Sequence, residues 1–110
     1  MAQKGFLGEF EQMVLLAILQ CGDRAFALEV RQEIERSAER KVSRGAFYTT
    51  LDRLETKGLV GWTEESPGNA RGVGLLRRYT VARSGLEALR VTRNALLKLW
   101  RGLHGVVEGT

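Results

Sequence analysis

The chain of 110 residues holds one cysteine, one histidine and one proline. A lone Cys21 forms neither an intrachain disulfide nor a cysteine metal cluster, and within its apolar run it reads as a small packed hydrophobe. One Cys and one His leave no ligand set for a zinc site. His104 has no nucleophile and carboxylate arranged around it, so the sequence supports no catalytic centre and the expectation is a protein that is not an enzyme. No apolar run approaches the roughly 18 residues of a membrane span. Met1–Gly5 leads into glutamates instead of an uninterrupted apolar stretch with a cleavage site, so no secretory signal is expected. These absences together predict a soluble, cytoplasmic protein without cofactor or metal. Acids are also scarce in one place: between Ser66 and Arg101 the only acid is Glu87, against Arg71, Arg77, Arg78, Arg83, Arg90, Arg93, Lys98 and Arg101.

What is present is ordinary for a folded protein, with 44% hydrophobic and 27% charged residues in a length suited to one domain. The formal net charge is +4 and the isoelectric point near 9.7. That excess, concentrated in the second half, favours a polyanionic partner.

The central stretch is Ser43–Gly58, SRGAFYTTLDRLETKG. Ser43 suits a helix N-cap, and Gly58 suits a C-terminal position with positive φ. Phe47, Leu51 and Leu54 make an apolar face, while Arg44, Gly45, Tyr48, Thr49, Asp52, Arg53 and Thr56 make the other. Hydroxyls, small residues and cations in its N-terminal half are what a helix needs to approach a DNA groove. An amphipathic core helix with a solvated outer face would look similar on this stretch alone.

Upstream, Leu7–Cys21 predicts a helix that is apolar nearly all round, hence covered on two sides, one of them by another subunit. Gly22-Asp23 ends it. Leu28–Arg40 predicts a second helix with Leu28, Val30, Ile34 and Ala38 inward and alternating charges outward. A short link through Arg40-Lys41-Val42 makes this pair a helix-turn-helix candidate. After Gly58 the period changes to two: Leu59–Thr63 and Leu75–Val81 read as strands around the turn Ser66-Pro67-Gly68-Asn69. That hairpin is a wing with Arg71, Arg77 and Arg78 on or beside it. Arg77 and Arg78 point to opposite faces, so at most one meets DNA directly while the other is free to pair with an acid. Gly72 and Gly74 lack the strand-then-helix setting of a nucleotide loop.

From about Arg83 to His104 or beyond, one long helix is predicted. Leu86, Leu89, Arg93, Leu96, Trp100, Leu103 and Val107 form a heptad seam interrupted by Arg93. A two-fold dimer would bury it. Trp100 is a seam anchor or, alternatively, part of an effector pocket.

These segments together resemble the PadR family of bacterial transcriptional regulators. LGEFEQMVLLAIL (7–19) is similar to the family's first helix and AFALEVRQEIE (25–35) to its second. VSRGAFYTTLDRLETKGLV (42–60) resembles its recognition helix, and RRYTV with SGLEAL (77–89) its wing strand and the start of its dimerisation helix. The resemblance implies a mostly α, α+β winged helix-turn-helix with a long C-terminal dimerisation helix. Residues 1–81 would form the DNA-binding domain and 82–110 the dimerisation helix, packed as one compact unit. It implies a homodimeric repressor on a pseudo-palindromic operator, released by a small aromatic or hydrophobic effector. Ser43, Arg44, Gly45, Ala46, Tyr48, Thr49 and Thr50 fall on recognition positions, and Arg53 and Lys57 on backbone-contacting ones. Two departures stand out. The wing reads NARGVGLLRRY where the family carries a compact basic tip, and Ala82-Arg83 replaces a Thr-Pro-type cap. The altered wing keeps open an alternative, a winged-helix protein-interaction module without specific DNA binding.

Overall fold

The computed structural model describes residues 6–67 and 74–109. Five helices and one hairpin follow in the order α1 (Glu9–Cys21), α2 (Ala27–Ala38), α3 (Arg44–Thr56), β1 (Val60–Glu65), β2 (Leu76–Val81), α4 (Arg83–Trp100) and α5 (His104–Glu108). A single 3-10 turn, Gly22–Arg24, joins α1 to α2. Among the described residues no helix is long and apolar enough to cross a membrane.

The core forms where α1, α2 and α3 meet the hairpin. Val14, Leu15, Val30, Phe47, Leu51 and Leu54 are almost wholly buried there. Tyr79 of β2 and Val60 of β1 close the cluster from the sheet side. Cys21 packs against it at the end of α1, and burial pushes its thiol above the usual range.

In α2 the buried stripe is Val30 and Ile34, one turn apart, with Ala27 and Ala38 half-buried. Leu28, expected to face inward, is 40% exposed. It lies two residues from Val30, which on a helix turns it to the far side. The helix also stops at Ala38, before the expected Arg40, because Glu39 takes a left-handed conformation at φ 53°. The link to α3 is therefore Glu39–Ser43, longer than the predicted turn. It is pinned where Val42 N–H donates to the Glu35 carboxylate at 2.9 Å, with the Val42 side chain buried.

The ends of α3 behave as predicted. The Ser43 hydroxyl oxygen accepts from Ala46 N–H at 3.1 Å, and Gly58 takes φ 76°. There Gly58 N–H bonds Glu55 O and Leu59 N–H bonds Leu54 O, a Schellman closure. The antiparallel hairpin pairs Val60 with Val81 through Glu65 with Leu76, so β1 runs two residues past Thr63. A bridge between Phe26 and Arg78, with Tyr79 N–H donating to Ala25 O at 2.9 Å, ties β2 to the start of α2. Gly68, Asn69, Arg71, Gly72 and Val73, on which the predicted turn and wing tip fall, lie outside the described residues.

The close approach of α4 to β1 depends on Gly85. A Cβ there would lie 2.4 Å from Leu59 O and 2.8 Å from a Val81 methyl. The contact is fastened by Ala82 N–H to Leu59 O and by the Ser84 hydroxyl to Gly58 O at 2.6 Å. The long helix expected to reach His104 ends at Trp100. Arg101 leaves the helical region at ψ 122°, and Gly102 turns the chain at φ 76°. Leu103 and Val107 therefore do not continue the α4 seam. They sit on or beside the short α5.

Candidate nucleic-acid interface

The outer face of α3 begins at its capped N-terminus. Ser43, Arg44, Gly45, Ala46, Tyr48 and Thr49 are all exposed. Orphan N–H groups of the first turn and the positive end of the helix dipole point the same way, which favours an anion there. Tyr48 stands edge-on to buried Phe47 with ring centroids 5.4 Å apart, and the Arg44 guanidinium lies 5.8 Å from the Tyr48 ring. The phenol is thus braced from below and still 40% exposed.

Thr50 is separated from this group. It is 5% exposed and lies on the Phe47–Leu54 side of the helix, so its hydroxyl is not offered to a partner. Its spacing of three from Phe47 and four from Leu54 carried that signal.

At the other end of α3 the two expected backbone contacts have different surroundings. Arg53 is exposed. The Lys57 ammonium donates to Glu11 Oε2 of α1 at 2.8 Å, where the Glu11 side chain is only 9% exposed. The other oxygen of Glu11 accepts from Gly8 N–H at 3.0 Å. Burial pushes the Glu11 carboxyl up. The hydrogen bonds from Lys57 and Gly8, with the charges of Lys57 and Arg53, outweigh it and hold the group below its ordinary value. Lys57 thus locks the C-terminal end of α3 onto α1.

The two wing arginines divide as strand alternation requires. Arg78 pairs with Glu65 at 2.8 Å, which raises the arginine's pKa and lowers the glutamate's. Arg77 lies over the Trp62 ring at 4.0 Å, and Trp62 Nε1–H donates to Glu55 of α3 at 2.7 Å. Arg77 also hydrogen-bonds the Tyr79 phenol. Burial raises that phenol's pKa, and the arginine offsets part of the rise. These contacts hold Arg77 against the α3 side of the wing. Arg71 lies outside the described residues.

Between α2, α3 and β2 the surface sinks into a cavity of about 500 Å³. Arg31, Arg44 and Arg77 line it, with Asp52 the single acid among its lining residues. By sequence Arg31 belongs to the alternating charges on the outer face of α2. Only the fold shows that it lines a cavity with the exposed face of α3. A positive concavity beside an exposed helix N-terminus can grip phosphates, with Tyr48 and Thr49 supplying hydroxyls.

Away from this cavity, α1 and α4 form an open groove of about 610 Å³. Leu86, Leu89, Arg93, Leu96 and Trp100, the first five positions of the predicted seam, line it together with Leu16 and Leu19 of α1. The Trp100 ring stacks on His104 at 4.9 Å. The helix face buried within the chain is a different one, made of Gly85, Ala88 and Thr92.

Solved structures share this fold. The chain is similar to hsRosR-S4, solved as a complex, with TM-score 0.69 and 23% identity over 87% of this chain and 76% of that one. A PadR family transcription regulator from hypervirulent Clostridium difficile R20291 aligns with TM-score 0.63 and 20% identity, covering 91% of this chain and 96% of that one. A PadR-like transcription factor from Bacteroides fragilis gives TM-score 0.59 and 20% identity over 91% and 87%. At these identities the likeness concerns the fold, a winged helix. No curated protein matches the sequence. The family model for the transcriptional regulator PadR-like family matches residues 15–91, most of the chain, and the protein therefore belongs to that family of DNA-binding transcription regulators.

Proposed function

We propose that the protein is a homodimeric, sequence-specific transcriptional repressor that binds a pseudo-palindromic operator. The carrying observation is the exposed start of α3, where Arg44, Gly45, Tyr48 and Thr49 stand beside Arg31 and Arg77. In this reading Ser43–Thr49 enter the major groove, and Arg53 and Arg77 hold the flanking backbone. A two-fold dimer sets its half-sites about 34 Å apart or a multiple of that. Support for the dimer comes from the apolar groove between α1 and α4, where Leu16 is 50% and Leu86 48% exposed. Two such faces brought together would cover apolar surface that one chain leaves in water. Trp100 in that groove is the candidate contact for a small hydrophobic effector that releases DNA.

The test is binding of the purified protein to its own promoter-proximal duplex and to a scrambled duplex at roughly 50 and 200 mM salt. Light scattering would give the mass of the complex, and transcription from the same promoter would be read in vitro. Tight, sequence-dependent binding by two protomers that lowers transcription is the expected result. Equal, weak and salt-labile binding to both duplexes overturns it and points to a protein partner for the basic face.

A further inference from the structure

The cavity between α2, α3 and β2 has more apolar surface than a phosphate-gripping site needs. Leu28 and Tyr48, each 40% exposed, and the half-buried Leu76 lie among its arginines. Arg77 is already committed to Trp62 and Tyr79. Arg31 and Arg44 hold no ion pair among the described residues. The result is two guanidiniums without an ion pair, Arg44 beside the Tyr48 ring, in a leucine-containing space of about 500 Å³, within the range of small-molecule sites. A phosphodiester would satisfy the arginines and leave Leu28 in water. A neutral hydrophobe would cover Leu28 and leave three arginines against the one acid of the lining, Asp52. A molecule with an anionic head and an apolar body matches both, because guanidinium pairs well with carboxylate while the body displaces water from the leucines.

We propose that this cavity is a ligand site for a small amphipathic anion, of the class of alkyl carboxylates, and that its occupancy excludes DNA. The site is separate from the groove that contains Trp100. The exclusion rests on the reading of this face as the DNA-binding face: the bound head would occupy Arg31 and Arg44 and the body would stand against Tyr48.

Octanoate is the probe, with 1-octanol lacking the charge and inorganic phosphate lacking the body as controls. Each is titrated into the full chain without DNA and followed by backbone amide NMR. Octanoate is expected to saturate, to shift Leu28, Arg31, Tyr48 and Leu76, and to bind at least about tenfold more tightly than either control. Leu28→Gln, an exposed change, is expected to weaken octanoate about tenfold and leave duplex affinity within about twofold. In a second arm, saturating octanoate displaces a bound duplex. Shifts confined to Leu16, Leu96 and Trp100 overturn the proposal. So does affinity no better than the controls, or indifference to Leu28→Gln. Saturation of the cavity with duplex affinity unchanged overturns the exclusion. If the chain binds no duplex, the exclusion falls together with the repressor function, and the titration, run without DNA, still decides the cavity.

Discussion

Replacing Lys57 with methionine separates a structural role from a DNA-contacting one. Its ammonium lies 2.8 Å from Glu11, with the lysine side chain 46% exposed and the glutamate 9%. An exposed ion pair contributes up to about 1 kcal/mol. Removing one partner of a fully buried pair costs about 3–5 kcal/mol, because the other charge is left without compensation. Here one partner is buried and the other half in water, and Glu11 keeps the Gly8 N–H at 3.0 Å. The expected cost of Lys57→Met is therefore about 2 kcal/mol, intermediate between the two cases. For a domain of this size that is a fall in Tm of about 10 °C.

The assay is thermal and urea unfolding of both proteins at one protomer concentration, across pH. Glu11 titrates below its ordinary value of 4.5 in the folded chain, so the unfolded chain takes up the proton first as pH falls. The stabilisation from the pair is full above that ordinary value and is lost as pH drops through the lower folded one. The gap between wild type and Lys57→Met should be full at neutral pH and close in acid. The salt dependence of DNA binding completes the separation. Lys57→Met should leave the salt slope in place, whereas Arg53→Ala should reduce it by about one unit per protomer and change stability by less than about 0.5 kcal/mol. A Lys57→Met protein of wild-type stability with a reduced slope would refute the argument, since the lysine would then serve phosphate and not Glu11.

Three further outcomes follow from the packing. Gly85→Ala sets a methyl 2.4 Å from Leu59 O, and is expected to destabilise by about 1–3 kcal/mol in urea unfolding; wild-type stability would mean that α4 does not sit this close to β1. Gly45→Ala meets nothing within 4 Å and improves helix propensity by up to about 1 kcal/mol, so it should hold or raise Tm while weakening operator binding; undiminished affinity would show that the α3 backbone does not approach DNA there. Leu97→Glu, at a side chain 55% exposed on the groove between α1 and α4, should shift the chain toward monomer in light scattering with its helical circular dichroism intact, and an unchanged dimer mass would move the interface elsewhere.

Much of this fold is legible in the sequence because local rules suffice for it. The Ser43 cap, the Gly58 left-handed turn and the change of period after Gly58 each depend on a few neighbouring residues, and each appears where expected. The misplaced features depend on competition between neighbours. Leu28 is as apolar as Ile34, but a helix can bury only one stripe, and Val30 with Ile34 set it. Thr50 looks like a groove hydroxyl until the Phe47–Leu54 face, which includes its position, is seen to be buried. The heptad spacing through Leu103 and Val107 continues on paper past Gly102, but a repeat keeps its phase only while the backbone stays helical.

The site was harder to read than the fold, for a physical reason. A charged residue's role depends on what lies opposite it, and that partner is distant in sequence. Arg53 and Lys57 are both cations at the C-terminal end of α3, and what sets Lys57 apart is Glu11, 46 residues away. Arg77 and Arg78 are adjacent and identical, yet one stacks on Trp62 and the other pairs with Glu65. Alternation could say that they part, but only the hairpin register says which faces α3. Arg31 lies on a helix whose charges alternate in sign, and its place beside Arg44 exists only once the fold brings α2 and α3 to one cavity. Of the cations first assigned to DNA, the fold commits Lys57 and Arg78 to carboxylates. Arg44, Arg53 and Arg77 remain exposed without a carboxylate partner among the described residues, and half-buried Arg31 adds to them from α2. The salt slope of DNA binding should therefore follow this smaller set, and not the chain's total of 17 lysines and arginines.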